Sequence, residues 1–332
     1  EALAWLDEAL RVHPDGAEAH NGRGEILWDD GRVDEGLIEF DRAVLADGKF
    51  TAAHLNRIEL LIEEFGEFVT AVRLADELLS GTPALPRPDR VLQAEVYYLK
   101  SQALFYQDDL EGSLFLVRRA AKAGGELGLY YAFEGQVLFE LGNYQESRRV
   151  LERGVAVDSD AAHTIYHLGL VLERLEAEGE EEGSPGVGIE NSEAAFARAN
   201  SLEPQQFPLP VIMDDAAFTR AVDSSVANLP RSIREHIEGV SVLIEDFPTV
   251  ELVRDERLSP QTLGLFMGVA RTEALLTDQP LDLDRILLYK RNLEKICRDE
   301  EELIDQIQIT VRHEVVHYLG LDEDDLERLG LA

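Results

Sequence analysis

Residues 309–320 read Ile309-Thr310-Val311-Arg312-His313-Glu314-Val315-Val316-His317-Tyr318-Leu319-Gly320, and this stretch decides the fold of the C-terminal part of the chain. Two histidines four residues apart, with a glutamate after the first, form the motif HExxH. On a helix this spacing places both imidazoles on one face, one turn apart, where they can bind a single zinc ion. Glu314 projects beside them and can accept a proton from water bound to the metal.

The helix that carries this motif is predicted to begin at Asp299, because Asp299 and Glu302 form a capping-box pattern. Apolar residues then recur on one stripe that should pack on a sheet: Ile304, Ile307, Val311, Val315 and Leu319. His313, His317 and Gly320 lie on a neighbouring stripe. The helix therefore has a packing face beside a metal face, and Gly320 can end it in a left-handed turn.

A third metal ligand has to come from the short tail, because only fifteen residues follow His317. In the metzincin-like pattern HExxHxxGxx the next position supplies the ligand, and that position is Glu323. A carboxylate can replace histidine as a zinc ligand. We rank Glu323 first, ahead of Asp322 and Asp324. The alternative is an acidic tail in which Asp322 and Asp325 only cap a last helix.

Upstream of the motif, the pattern predicts a small domain that mixes helices and strands. Helices are predicted from about Asp214 to Asn228 and from Arg231 to Glu238. Three runs rich in β-branched and aliphatic residues are predicted to be strands: Val240 to Asp246, Leu263 to Val269 and Arg285 to Tyr289. The connecting runs contain prolines and aspartates, as loops do.

Residues 214–331 resemble the small bacterial minimal-zincin family of zinc metallopeptidases. The matching residues are Leu229-Pro230, Val242 to Asp246, Leu263-Gly264-Leu265, Gly268, Leu288-Tyr289 and His313-Glu314 to Gly320. The resemblance implies a compact α+β domain with two metal-binding histidines, a general-base glutamate and a nearby acidic third ligand. The sequence departs from the family pattern at Tyr318, Phe266 and Ala270, where histidine, tyrosine and proline are usual. None of these departures removes a metal ligand.

The first two hundred residues show self-similarity at a period of 34, the separation of Gly135 and Gly169. Small and large residues recur in one register, as in the tetratricopeptide repeat, which these segments resemble: Gly24, Gly36, Phe40 and Ala43; Ser101, Ser113 and Ala120; Gly135, Ser147, Leu151 and Gly154; Ser192, Phe196, Ala199 and Pro204. Small residues let the two helices of a hairpin approach closely, and a large residue fills the groove between them. Residues 51–93 form a weaker unit.

These patterns predict a mostly α chain with three segments. Residues 1–204 form a tetratricopeptide-repeat solenoid whose first repeat lacks its first helix, so we expect the native protein to extend further back. An acidic, glycine-rich insertion at about 175–190 is predicted to be disordered. Residues 205–213 form a short linker. Residues 214–332 form the small α+β zincin-like domain.

The composition limits the partners. The formal charge of −35 opposes binding to nucleic acid or to an anionic membrane, and no run is long enough for a membrane span. Cys297 is the only cysteine, so an intramolecular disulfide and a cysteine-based zinc cluster are both excluded. No signal peptide is visible, and we expect a cytoplasmic protein.

Together the two parts indicate a zinc-dependent metallopeptidase, with Zn²⁺ as cofactor and a repeat array that recognises a protein or peptide. The metal ligands are His313, His317 and Glu323, and the general base is Glu314. The alternative is a non-catalytic repeat-protein adaptor whose zincin-like domain binds a partner or a structural metal. His163 and His167 share the four-residue spacing but lack the glutamate, and repeat packing accounts for them.

Overall fold

The computed structural model describes residues 2–81, 88–179, 183–237, 239–268 and 284–320. The chain divides into two compact units. The first comprises Glu1–Phe139, Asn143–Leu168 and Gly186–Gly188, and the second comprises Glu140–Gly142, Gly169–Pro185 and Ile189–Ala332. In the described ranges, no helix has the length and apolar content needed to cross a bilayer.

Eleven helices precede residue 204 in the described part of the chain: α1 comes first, and the other ten follow as five consecutive pairs. They are α1 Ala2–Val12, α2 Ala17–Asp29, α3 Val33–Ala46, α4 Thr51–Glu63, α5 Phe68–Ser80, α6 Arg90–Phe105, α7 Leu110–Gly124, α8 Gly128–Glu140, α9 Tyr144–Val157, α10 Ala162–Ala177 and α11 Ser192–Leu202. The segment at 51–93, whose repeat pattern is weak, therefore contributes the helix pair α4 and α5.

The glycines of the repeat pattern lie where two helices of a pair meet. A Cβ on Gly24 would come within 2.6 Å of the Phe40 ring, and one on Gly135 would come within 2.4 Å of Leu151. Phe40 and Leu151 are both fully buried. The small and large positions read from the sequence thus face each other across the helix pair, sixteen residues apart in both cases.

A side-chain hydrogen bond recurs with the same period. The Ser113 hydroxyl donates to the main-chain oxygen of Ser101 at 2.8 Å, and the Ser147 hydroxyl donates to that of Gly135 at 2.6 Å. Both donors and both acceptors advance by 34 residues. All four groups are buried, so each bond satisfies a hydroxyl that would otherwise be costly to bury.

The last pair of helices, α10 and α11, carries the insertion. A Cβ on Gly169 would come within 2.8 Å of Phe196, which lies twenty-seven residues on rather than sixteen. Residues 183–190 belong to the segment predicted to be disordered, and that prediction stays untested. Ser184 and Ile189 exchange main-chain hydrogen bonds of 2.7 and 3.2 Å around a 3₁₀ turn at Pro185–Val187, and both are buried. Burial of Ile189 supplies the apolar anchor that a disordered segment lacks.

The C-terminal part contains five helices and three strands among its described residues. They are α12 Asp215–Ala227, α13 Arg231–Arg234, β1 Ser241–Glu245, α14 Val250–Asp255, β2 Gly264–Met267, β3 Arg285–Tyr289, α15 Lys290–Ile296 and α16 Glu300–Leu319. The strands form a sheet of order β1-β3-β2, in which β1 pairs parallel with β3 and β2 pairs antiparallel with it. The helix predicted over 231–238 is shorter than expected and ends at Arg234.

Helix α16 packs against this sheet with the stripe predicted from the sequence, although the buried face is wider. Ile307, Val311 and Val315 are fully buried in one core cluster, which also contains Ile286 and Leu288 of β3. Ile304 and Leu319, at the margins of the stripe, are only partly buried. The predicted cap is present, because the Asp299 carboxylate accepts a hydrogen bond from the Glu302 main chain at 2.9 Å.

The segment at 205–213 is fixed by polar contacts with α15. The buried Glu294 carboxylate accepts from the Met213 main-chain N–H at 3.0 Å, and the Glu294 main-chain oxygen accepts from Val211 at 2.9 Å. Lys295, which is also in α15, donates a hydrogen bond to Glu173 of α10 at 2.6 Å. Both partners of this ion pair are largely shielded from water.

The close approach at Gly24 gives a direct stability test. Gly24→Ala should lower the free energy of unfolding by about 1–3 kcal/mol, because Phe40 has to move to admit the new methyl group. Gly22→Ala, in the same helix, is the matched control. The nearest atom to its Cβ lies at 3.8 Å, so the higher helix propensity of alanine should leave stability equal or raised by up to about 1 kcal/mol. Urea unfolding followed by circular dichroism measures both, and equal midpoints would contradict the packing argument.

Candidate metal centre

His313 and His317 project from the solvent-exposed side of α16, one turn apart. Their Nε2 atoms lie 2.9 Å from each other. The ring centroids are 4.5 Å apart and the ring planes are nearly perpendicular, at 85°. Two imidazole nitrogens thus converge on one point in front of the helix.

This donor pair fits a zinc ion. Two nitrogens bound to tetrahedral zinc at ordinary bond lengths are separated by about 3.3 Å. The observed separation of 2.9 Å differs from that by a few tenths of an ångström, which a small change in either side-chain torsion accommodates. Two nitrogen donors are thus in place for a catalytic zinc site, which uses three protein ligands.

Glu314 lies between the two histidines in sequence but on the buried side of the helix, with 6% of its surface exposed. Its carboxylate accepts a hydrogen bond of 2.7 Å from the main-chain N–H of Phe266 in β2. Burial raises the pKa of the Glu314 carboxyl, while the Phe266 N–H and the two histidines oppose that rise. The carboxylate is therefore oriented by the sheet and partly withdrawn from water.

The approach of α16 to β2 depends on Gly264. A Cβ at this position would lie 2.7 Å from the Thr310 methyl group, 3.0 Å from Cγ of Glu314 and 3.1 Å from Oε1 of Glu314. Any larger residue would push the helix or the glutamate side chain away from the strand. A glycine inside a predicted strand was the available sequence signal for this close contact, and sequence reasoning did not assign it that role.

Strand β2 presents main-chain groups at an edge of the sheet formed by the described residues. The Tyr289 N–H donates to the Leu263 oxygen at 2.9 Å, so the pair at 263 and 289 is hydrogen-bonded. Because bonding alternates along an antiparallel ladder, the main-chain groups of Gly264 and Phe266 point away from β3. The Phe266 N–H that holds Glu314 thus belongs to the edge of the sheet.

The acidic candidates for the third ligand follow the end of α16. Gly320 ends the helix in the predicted left-handed conformation, with φ of 65°, and its N–H donates to the His317 oxygen. Glu323, Asp322 and Asp324 lie outside the described residues. Among the residues that are described, no cluster of three His, Cys, Asp or Glu side chains could hold a metal ion. The assignment of Glu323 stays a prediction.

Two tyrosines near the site are part of the packing. The Tyr318 ring contacts Phe266 at 5.4 Å, and its hydroxyl donates to the His236 oxygen over a long 3.4 Å. Tyr289 is 1% exposed, and its pKa is raised to about 12 by burial and by the nearby Glu245 and Glu314. Neither observation gives these hydroxyls a role in charge stabilisation.

The other histidine pair has a different environment. Nδ1 of His167 is 3.0 Å from the main-chain oxygen of His163 in its own helix. Burial and the neighbouring His163 lower the pKa of His167 to about 3. One ring nitrogen of His167 is therefore committed to the helix backbone, whereas His313 and His317 direct their Nε2 atoms toward each other.

Comparisons with known families agree with this architecture. Residues 237–331 match the family described as zincin-like metallopeptidase, and residues 1–52 and 134–183 match the tetratricopeptide repeat. The chain thus consists of tetratricopeptide repeats followed by a zincin-like metallopeptidase domain. No curated protein sequence matches it.

Solved structures of tetratricopeptide-repeat proteins are similar to part of the chain. YrrB, described as having an unusual peptide-binding site, is 13% identical over 60% of this chain and 93% of its own, with a TM-score of 0.41. A thermophilic protein from Thermus thermophilus is 18% identical over 57% and 92%, with a TM-score of 0.45. A protein from Parabacteroides merdae is 12% identical over 66% and 74%, with a TM-score of 0.46.

The third ligand can be tested by zinc affinity. Glu323→Ala should weaken zinc binding about tenfold or more, because it removes one of three protein donors. Asp325→Ala is the control, since it removes the same charge two residues further on. Competition with a chromophoric chelator measures both affinities. Equal losses in the two variants would refute the assignment of Glu323.

Proposed function

We propose that this chain is a zinc-dependent peptidase in which His313, His317 and Glu323 hold the metal and Glu314 acts as general base. The observation that carries the proposal is the convergence of the two Nε2 atoms, 2.9 Å apart, beside a buried carboxylate that the sheet orients. The match of residues 237–331 to zincin-like metallopeptidases supports the same chemistry.

When bound, zinc would supply a Lewis acid that acidifies a water molecule and polarises a peptide carbonyl. The chain's own contribution is the placement of Glu314. One of its oxygens is held by the Phe266 N–H, which leaves the second free to take a proton and later deliver it to the leaving amine. Partial burial favours this role, because it brings the pKa of the carboxyl closer to neutrality.

The substrate main chain would bind along β2 by strand addition. The outward main-chain groups of Gly264 and the Phe266 carbonyl oxygen are the ones available to a peptide at this edge, because the Phe266 N–H already holds Glu314. A peptide in this position would pass directly beside Glu314, since the same strand holds the glutamate. The edge strand thus serves both to orient the base and to align the bond that is cleaved.

The repeats would recognise a protein or peptide, which is the usual role of tetratricopeptide repeats. Recognition by the repeats and cleavage at the zinc site are separable functions. A non-catalytic adaptor would keep the first and lack the second, so cleavage has to be measured by itself.

The general-base role predicts a loss of rate without loss of metal. Glu314→Gln should lower peptide cleavage by about 100-fold or more, because the amide cannot accept the proton, while zinc content stays unchanged. Glu301→Gln, an exposed glutamate in the first turn of the same helix, is the matched control and should cleave normally. A peptide-library digest read by mass spectrometry measures cleavage, and elemental analysis measures zinc.

Two outcomes would count against the proposal. Cleavage that survives Glu314→Gln would remove the assigned role of the glutamate. A wild-type protein that is purified without chelators and holds less than about a tenth of an equivalent of zinc would favour the adaptor.

The close packing at Gly264 predicts a smaller loss of catalytic efficiency when this residue is enlarged. Gly264→Ala should lower kcat/KM by about tenfold, because displacement of Glu314 by a few tenths of an ångström misaligns the base. Zinc content should not change, since the atoms nearest to the added Cβ belong to Thr310 and Glu314 and not to either histidine. Gly239→Ala is the control, because no atom lies within 4 Å of its Cβ. A Gly264→Ala enzyme with the wild-type rate would show that the contact does not position the base.

A further inference from the structure

A cavity in the C-terminal compact unit lies at the opposite edge of the sheet from the candidate metal centre. It has a volume of about 530 Å³ and is lined by the end of α10, the start of α11, residues 209–212, the loop after β1 and helix α15. The loop after β1 contributes Asp246 and Phe247, whereas the metal centre uses β2, and β3 separates the two strands. We name this cavity the α10–α11 pocket.

One side of the α10–α11 pocket is apolar and unusually exposed. Leu209 is 52% exposed and Ile212 is 70% exposed, while Phe196 forms part of the buried lining. Hydrogen bonds from the main-chain N–H groups of Val211 and Met213 to Glu294 fix the backbone here. The backbone therefore cannot rotate to bury Leu209 and Ile212. Two large aliphatic side chains are thus held at the mouth of a cavity, which is a common feature of binding sites.

The rest of the lining is acidic. The lining contains five carboxylates, those of Glu173, Glu176, Glu193, Asp246 and Glu294, and one guanidinium, that of Arg291. The inner carboxylates are already engaged, Glu173 by Lys295, Glu176 by Ser192 and Glu294 by Met213. At the rim, Glu193 is exposed and forms no ion pair with a described residue. Asp246 is 62% exposed and lies 3.8 Å from the only guanidinium of the lining.

We propose that the α10–α11 pocket binds a peptide segment in which a lysine or arginine stands next to a bulky aliphatic residue. The aliphatic side chain would pack on Leu209, Ile212 and Phe196, and the cation would lie between Glu193 and Asp246. The volume falls within the range of roughly 300–1,000 Å³ found for ligand pockets, which suits a short segment rather than a folded domain. The local charge excludes acidic peptides and nucleic acid.

The proposal is independent of catalysis, because it concerns binding at the β1 side of the sheet. It is tested with the full chain and a fluorescein-labelled ten-residue peptide whose centre alternates isoleucine or leucine with arginine. Two matched peptides replace either the arginines by glutamate or the aliphatic residues by serine. Fluorescence anisotropy at physiological salt should show binding of the first peptide, with a Kd well below about 1 mM, and weaker binding of both matched peptides by about tenfold or more.

Variants locate the site. Leu209→Ser combined with Ile212→Ser should weaken binding of the basic-aliphatic peptide by about tenfold. Glu193→Lys combined with Asp246→Lys should weaken its binding at least as much. The control for charge is Asp255→Lys combined with Glu256→Lys, two exposed acids at the end of α14 that give the same change in net charge. The control for apolar exposure is Leu45→Ser, a residue 87% exposed in the repeats. All altered side chains are exposed, and circular dichroism checks that each variant folds.

The proposal is overturned by any of three results. These are a wild-type Kd weaker than about 1 mM, equal binding of the acidic peptide, and pocket variants that bind as the controls do. The third result would place binding of the peptide elsewhere on the chain, with the repeats as the first candidate. None of the three bears on Glu314 or on zinc.

Discussion

The candidate metal centre depends on one close contact, that of helix α16 with strand β2 at Gly264. The missing side chain lets Thr310 and Glu314 approach the strand, and this proximity brings the Glu314 carboxylate within 2.7 Å of the Phe266 N–H. The same helix buries Val311 and Val315 in the core, which fixes its rotation. With the rotation fixed, the histidines at 313 and 317 have to face solvent together. A single packing constraint therefore sets the positions of His313, His317 and Glu314 together.

The sequence was informative about this helix because each of its features is local. The cap at Asp299, the apolar stripe from Ile304 to Leu319 and the left-handed Gly320 all follow from residues a few positions apart. All three are present, although the two ends of the stripe are only partly buried. The bond from Phe266 to Glu314 joins residues forty-eight positions apart, on a strand and a helix. Periodicity carries no information about such a bond. A sequence can therefore propose which residue is the base, but it does not show what orients that side chain.

The repeats show the same division between local and non-local information. The pairs Gly24 with Phe40 and Gly135 with Leu151 could be predicted, because a constant spacing of sixteen residues links them. In the last helix pair the spacing from Gly169 to Phe196 is longer, and composition alone predicted disorder for the extra residues. At 183–190 the structure adds two features that composition does not show: Ser184 and Ile189 satisfy each other's main-chain groups, and both residues are buried. Charge and glycine content carry no information about a bond between residues at the two ends of a turn.

The ion pair of Glu173 and Lys295 shows how residues of the last helix pair become part of the C-terminal compact unit. Burial raises the pKa of Glu173 and lowers that of Lys295, although each partner opposes the shift of the other. Both shifts disfavour the charged forms, so desolvation exceeds the attraction and the pair adds little net stability. Removal of one partner would leave an uncompensated buried charge, which costs about 3–5 kcal/mol. The Lys295 ammonium lies 4.8 Å and the Arg174 guanidinium 4.7 Å from the centre of the Phe247 ring, so Phe247 connects the loop after β1 to both α15 and α10. These contacts join three walls of the α10–α11 pocket before any ligand is present, and a preformed site loses less conformational entropy on binding.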